Sequence, residues 1–167
     1  MLQIGVDKAE NMWYNKQNIF LGDIPMASFN EILQNYVNKS YEELLFFAHQ
    51  SFAEVAPDLT RFFKDDDGAA KALMVIIAAC LGADGKLTAL ESKFLNELLN
   101  QEDDYESTVN MVAALGDDES RDLTDQLADA LPADKKAALV SFCLCFLAVD
   151  ETITRDEVAF VVKLMES

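Results

Sequence analysis

Apolar residues recur every three or four positions along most of the chain, which is the spacing of amphipathic helices. Several of these segments begin with Ser or Thr followed three residues later by Glu, a capping box that satisfies unpaired amides at a helix start. Such boxes occur at Ser28/Glu31, Ser40/Glu43, Thr88/Glu91 and Thr154/Glu157. No stretch has the strict alternation expected of a half-buried strand. The pattern predicts an all-α fold, a single helical bundle of about seven to eight helices.

Two stretches, 72–83 and 137–149, are apolar nearly all round and predict helices at the centre of the bundle. Both are shorter than the roughly 20 apolar residues that span a bilayer. The N-terminus has no basic leader joined to an apolar stretch, so secretion is not indicated. We therefore expect a soluble, cytoplasmic protein without membrane insertion.

The chain is expected to form one domain, 26–167, preceded by a segment of different character. Residues 1–25 lack clear periodicity, and we expect them to pack onto the domain through Trp13, Tyr14, Ile19 and Phe20. Within the domain, Ala56-Pro57 is predicted to end the second helix, because the residue before a proline avoids the helical region.

One short phrase occurs twice, at 84–91 and 150–157, and the flanking helices repeat with it. The apolar pairs Leu73/Leu139, Leu81/Leu147, Phe94/Phe160 and Leu98/Leu164 keep the same offset. This duplication predicts two related helix–acidic turn–helix halves at about 67–100 and 133–167.

Two interpretations of the repeated turn are open. The capping boxes, with Gly85 ending the preceding helix, account for the residue types through backbone hydrogen bonding alone. Alternatively, the carboxylates are hard oxygen ligands for a divalent cation, calcium or magnesium. The candidate metal ligands are Asp84, Glu91, Asp150, Glu151 and Glu157.

The spacing also matches the second half of an EF-hand loop, but the first half is missing. Loop positions one and three would be Cys80 and Gly82 in the first copy, and Phe146 and Ala148 in the second. These residues cannot supply the oxygen ligands of the standard calcium cage. A cation site here would be an unconventional one.

The first copy, Ala83-Asp84-Gly85-x-Leu87 followed by Glu91, resembles the motif of the TerB-like domain of tellurite-resistance proteins. The second copy keeps Asp150, Ile153 and Glu157 but has Glu151 in place of the glycine. The resemblance covers about 67–167. It implies an all-helical bundle of two related halves, with acidic patches that hold metal ions or dock partners in bacterial stress-response proteins. It implies no catalytic residues.

The charge balance excludes some partners. The chain has 30 acidic and 13 basic residues, for a formal net charge of −17. Such an excess repels nucleic-acid phosphates and anionic membranes, and it favours a protein partner with a basic surface. The most acidic region, 102–134, still carries an apolar stripe, so we predict two amphipathic helices there.

Catalytic motifs are lacking in the sequence. His49 is the only histidine, and the three cysteines have no metal-ligand spacing, so no Ser/His/Asp or Cys/His set is indicated. The leading hypothesis is a non-enzymatic interaction module of a stress or tellurite-resistance-like system. The alternatives are an acidic decoy, inhibitor or immunity-type protein that binds a basic partner, and a metal-dependent hydrolase, which would need convergent carboxylates beside a pocket.

Overall fold

The computed structural model describes residues 26–64, 68–81, 87–114, 117–150 and 153–166. The predicted packing of residues 1–25 lies outside these residues. The described chain contains eight α-helices and no strand, which confirms the all-α prediction. The helices are α1 (Met26–Val37), α2 (Tyr41–Phe63), α3 (Gly68–Leu81), α4 (Ala89–Leu99), α5 (Tyr105–Ala113), α6 (Asp117–Ala130), α7 (Ala133–Leu147) and α8 (Arg155–Glu166).

The two apolar stretches form the central helices, as predicted. Every residue of α3 from 72 to 80 is buried, and α7 is buried from 142 to its end. Helix α3 packs against α2, α5, α6 and α8, while α7 packs against α1, α2 and α8. A helix surrounded on all sides has no need of a polar face, which explains the composition of both segments.

Helix α2 continues through Pro57 to Phe63, so the predicted end at Ala56-Pro57 is wrong. Proline removes one backbone hydrogen bond, which here would have gone to the carbonyl of Ala53. Ala53 and Pro57 are not buried, so water can reach that carbonyl. Val55 and Leu59 on the opposite face are fully buried and hold both sides of the proline in one helix.

The first predicted helix start is also wrong. Helix α1 begins at Met26, which places Ser28 within the helix, where it cannot act as the N-cap of a Ser28/Glu31 box. The box at the head of α2 is confirmed: the Glu43 N–H donates to Ser40 Oγ (3.2 Å), and the Ser40 N–H donates to Glu43 Oε2 (2.8 Å).

The acidic region forms the two amphipathic helices that were predicted, α5 and α6. Their inward positions include Thr108, Val112 and Leu127, all buried. The buried Thr124 hydroxyl donates to the Ser120 carbonyl (2.7 Å), so this polar side chain is satisfied within its own helix.

A small polar cluster joins α1, α2 and α7. The Tyr36 and Ser141 hydroxyls are hydrogen-bonded (2.7 Å), and Ser51 Oγ donates to Ser141 Oγ (3.1 Å). Burial raises the pKa of the Tyr36 hydroxyl. Because polar partners must meet across the three helices, the cluster fixes how they align.

Within the described ranges, no helix is both long enough and apolar enough to cross a lipid bilayer.

Candidate functional site

The repeated turns lead into two matching capping boxes. At the head of α4, the Thr88 N–H donates to Glu91 Oε2 (2.7 Å) and the Glu91 N–H to Thr88 Oγ1 (3.2 Å). At the head of α8, the Thr154 N–H donates to Glu157 Oε2 (2.6 Å) and the Glu157 N–H to Thr154 Oγ1 (3.3 Å). The predicted capping role is therefore confirmed for both pairs.

Both capping glutamates are buried. Glu91 is 3% exposed and Glu157 is 6% exposed, although glutamate is almost never buried to this degree unless paired. Glu91 is buried because it lies on the same face of α4 as Phe94, Leu95 and Leu98, which pack into the core. The carboxylates consequently lie inside the bundle rather than on its surface.

Glu91, Asp150 and Glu157 are near enough for their charges to interact. Burial is the main cause that raises the pKa of Glu91 to about 7, and the charges of Asp150 and Glu157 raise it further. The hydrogen bonds from Thr88 oppose this rise but do not cancel it. Near neutral pH, Glu91 is therefore only partly ionised.

Cys80 of α3 is adjacent to these carboxylates. Its pKa is raised well above the ordinary value by a hydrogen bond with Cys143, by burial, and by the charges of Cys143, Glu157 and Glu91. Burial likewise raises the pKa of Cys145 to about 12. All three thiols are buried and free, so they belong to the core of the bundle.

Of the five predicted metal ligands, the structure describes Glu91, Asp150 and Glu157, and the charges of Asp150 and Glu157 act on Glu91. Asp84 and Glu151 lie outside the described residues. Among the residues that are described, no group of three or more His, Cys, Asp or Glu side chains has an arrangement that could hold a metal ion. A cation bound near Glu91, Asp150 and Glu157 would therefore need further oxygen ligands, for which Asp84 and Glu151 are the candidates from the sequence.

An exposed acidic strip, residues 102–106, is attached to the first turn. The Tyr105 hydroxyl donates to the Leu87 carbonyl (2.6 Å), one residue before the cap of α4. Asn96 of α4 donates its side-chain amide to the Asp103 carbonyl (2.8 Å). Every residue of the strip is exposed, and Tyr105 remains 50% exposed despite its hydrogen bond. The sequence showed the acids but carried no signal for these long-range bonds.

A cleft of about 420 Å³ lies elsewhere, between the α1–α2 connection, the start of α4 and the end of α7. Its lining does not include Glu91, Asp150 or Glu157, so these carboxylates do not face this cleft. His49 is exposed on α2 and is not among the cleft residues.

Comparison with known proteins found no matching family model, no similar curated protein and no similar solved structure. The resemblance to the TerB-like domain therefore depends on the motif residues themselves.

Proposed function

We propose that the chain is a non-enzymatic interaction module that binds a basic protein partner through the acidic strip. A divalent cation at the paired turns would adjust that binding. The observation that supports this function best is the hydrogen bond from Tyr105 to the Leu87 carbonyl, because it attaches the partner surface to the turn. The resemblance to the TerB-like motif supports a role in a bacterial stress-response assembly, and we propose that the protein acts in the cytoplasm.

The strip has the properties of a docking surface for a basic protein. Glu102, Asp103 and Glu106 are exposed on a chain of net charge −17, so a positively charged face is attracted over distance and oriented on approach. Tyr105 adds a half-exposed aromatic ring, a side chain that often anchors interfaces. Asp104 has a structural use, since its carboxylate accepts the Ser107 N–H at the head of α5 (2.8 Å).

The cation part of the proposal follows from electrostatics. Three buried or half-buried carboxylates repel one another, and a calcium or magnesium ion is the hard cation that such oxygens prefer. Glu151 directly follows Asp150, and Asp84 precedes Glu91 by seven residues in the same repeated phrase, so both are candidates to complete the ligands. A cation there would displace the proton from Glu91 and tighten the turn to which Tyr105 is bonded.

The burial of two cysteines and the position of the histidine support a non-enzymatic module. Cys80 and Cys145 are buried with raised pKa values, so they do not supply the thiolate that nucleophilic chemistry needs. His49 is exposed on α2 and does not line the cleft, so it is not placed to act as a base there.

Binding of a fluorescein-labelled lysine-rich peptide, measured by anisotropy, tests the partner surface. The variant Glu102→Gln/Asp103→Asn/Glu106→Gln should bind much more weakly than the natural chain. A matched control, Glu42→Gln/Asp122→Asn/Asp129→Asn, removes three acids elsewhere on the surface and should keep most of the affinity. Equal loss in both variants would reject the strip and favour the decoy hypothesis, in which total charge alone matters.

Adding calcium or a chelator to the same assay tests the link between the turn and the strip. Since coupling between two sites is reciprocal, cation should change the peptide affinity of the natural chain. Tyr105→Phe keeps the ring but removes the bond to the Leu87 carbonyl, so this variant should show a smaller cation effect. A cation effect of the same size in Tyr105→Phe would contradict the proposed link.

A further inference from the structure

Two of the three cysteines are in direct contact inside the bundle. Cys80, near the end of α3, forms a hydrogen bond with Cys143 of α7. Each residue is 1% exposed, and both thiols are free. A hydrogen bond between two thiols places their sulfur atoms side by side. An S–S bond of about 2.05 Å then needs an oxidant and a further approach of the two sulfurs.

The third cysteine faces away from this pair. Cys145 follows Cys143 by two residues, and side chains at that spacing do not share a face of a helix. Besides Cys143, the charged group that acts on Cys145 is Lys39, and Cys145 acts in turn on Tyr36 of α1. The thiol of Cys145 therefore lies toward α1, and the fold selects Cys143 as the partner of Cys80.

We propose that Cys80 and Cys143 form a reversible disulfide when hydrogen peroxide reaches them, and that this bond locks α3 to α7. Cys80 is one residue before the end of α3, and Cys143 is about one turn before the end of α7. The bond would therefore hold together the ends of the two central helices. It would form whether or not the acidic strip binds a partner.

The reaction begins with a local opening at the end of α3. In the closed bundle, the hydrogen bond with Cys143 and burial keep the pKa of Cys80 well above its ordinary value, so the thiol does not react. The final turn of a helix opens more readily than its middle, because its last carbonyls lack helical partners. Opening exposes Cys80 to water, where its thiol ionises as an ordinary cysteine does. Cys143 lies further inside its helix, so Cys80 is oxidised first.

Oxidation of the pair by hydrogen peroxide takes two steps. The Cys80 thiolate attacks one peroxide oxygen and the O–O bond breaks, which gives a sulfenic acid and a hydroxide that is protonated to water. When the helix closes again, the Cys143 sulfur attacks the Cys80 sulfur, and the sulfenic hydroxyl leaves with the Cys143 proton as a second water. The two thiols are oxidised to a disulfide while one peroxide is reduced to two waters. A dithiol reductant reverses the change by thiol–disulfide exchange.

A covalent bond at this position would add a direct link between the central helices. Helices α3 and α7 are held together largely by the neighbours they share, α2 and α8. The disulfide would close a loop of about 60 residues, and restricting so long a loop removes many conformations from the unfolded chain. The oxidised chain should consequently be more resistant to unfolding than the reduced one.

Counting thiols on the full chain tests which cysteines react. After treatment with hydrogen peroxide and then denaturation, Ellman's reagent should detect only one thiol in the natural chain instead of three. Peptide mapping should find Cys80 joined to Cys143 and Cys145 free, and dithiothreitol should restore all three thiols. Cys145→Ala is the matched control, because it removes a buried thiol from the same helix and should still form the disulfide. Cys80→Ala should form none.

Urea unfolding of the oxidised and reduced chains tests the lock. Oxidation should raise the urea midpoint of the natural chain and of Cys145→Ala by similar amounts, and should not raise that of Cys80→Ala. The peptide map of the natural chain does not depend on whether any variant folds. The proposal is overturned by three retained thiols, by a disulfide that includes Cys145 or joins two chains, or by an oxidised chain whose midpoint is no higher than that of the reduced chain.

Discussion

Capping explains why Glu91 and Glu157 are glutamates but does not explain why they are buried. The Ser40/Glu43 box has the same two hydrogen bonds with both residues exposed, so the motif works equally well in water. Burying a carboxylate opposes its ionised form, and two buried carboxylates near Asp150 increase that cost. A structural role alone would not require this arrangement, which is why the site merits a functional test.

The raised pKa of Glu91 predicts a specific dependence of stability on pH. Its pKa rises from an ordinary 4.5 to about 7, so the folded state holds the proton more tightly than the unfolded state. The contribution of Glu91 is fully present below about pH 4.5 and is lost as pH rises through about 7. The loss is on the order of 2 kcal/mol, because a tenfold change in proton affinity corresponds to about 1.4 kcal/mol and solvent relaxation reduces the total.

Glu91→Gln isolates this contribution, because glutamine preserves the capping box without a titrating group. In urea unfolding without divalent cation, the variant should gain stability relative to the natural chain as pH rises from 5 to 8. The control Glu43→Gln changes the exposed box of α2 and should show no such trend. A pH-independent difference for Glu91→Gln would contradict the electrostatic account.

At the scale of the helices, local signals predicted some boundaries well and missed others. The Thr88/Glu91 and Thr154/Glu157 boxes were found because capping is a property of adjacent residues. The end of α2 was misplaced because burial of Val55 and Leu59 overrides the local effect of Pro57. The side of α4 that faces the core, and hence the burial of Glu91, depends on packing that no short motif encodes.

Pro57 is consequently a position where a substitution should make α2 more stable. Pro57→Ala restores an amide that can bond to the Ala53 carbonyl and removes the steric conflict of the ring. We expect a gain of about 1–3 kcal/mol in the free energy of unfolding, the upper end being the usual cost of an interior proline. Urea unfolding measures this gain.

Pro132→Ala provides the control for Pro57→Ala. Pro132 is the exposed N-cap of α7, with φ −60°, so no helical hydrogen bond is missing there. This substitution should leave stability unchanged or slightly lower, because the unfolded chain becomes more flexible. A loss of stability in Pro57→Ala would show that α2 depends on the proline.

At the scale of the whole molecule, the two halves of the duplication share one core. Helix α8 of the second half packs on α3 of the first, and the rings of Phe94 and Phe146 meet across α4 and α7 at 6.5 Å between centroids. The duplicated pattern predicts two related halves, but it does not predict these contacts between them. The capping glutamates Glu91 and Glu157 consequently lie close enough for their charges to interact.

Because the chain has a net charge of −17, a test for a divalent cation site must be compared with a monovalent salt. Added salt screens the repulsion between surface carboxylates over about 10 Å at 0.1 M, so every salt should stabilise this chain to some extent. Thermal unfolding in calcium or magnesium chloride should therefore be compared with sodium chloride at equal ionic strength. We expect an additional stabilisation with the divalent salt, about 2.7 kcal/mol at a concentration 100 times the dissociation constant.

Asp150→Asn should remove that additional stabilisation, whereas Asp129→Asn, an exposed change on α6, should retain it. The effect should also increase from pH 5.5 to 7.5, because the cation competes with the proton on Glu91. If sodium chloride at equal ionic strength stabilises the chain as much as the divalent salts do, screening accounts for the whole effect. The cation site would then be rejected, while docking at the acidic strip would remain testable through its own variants.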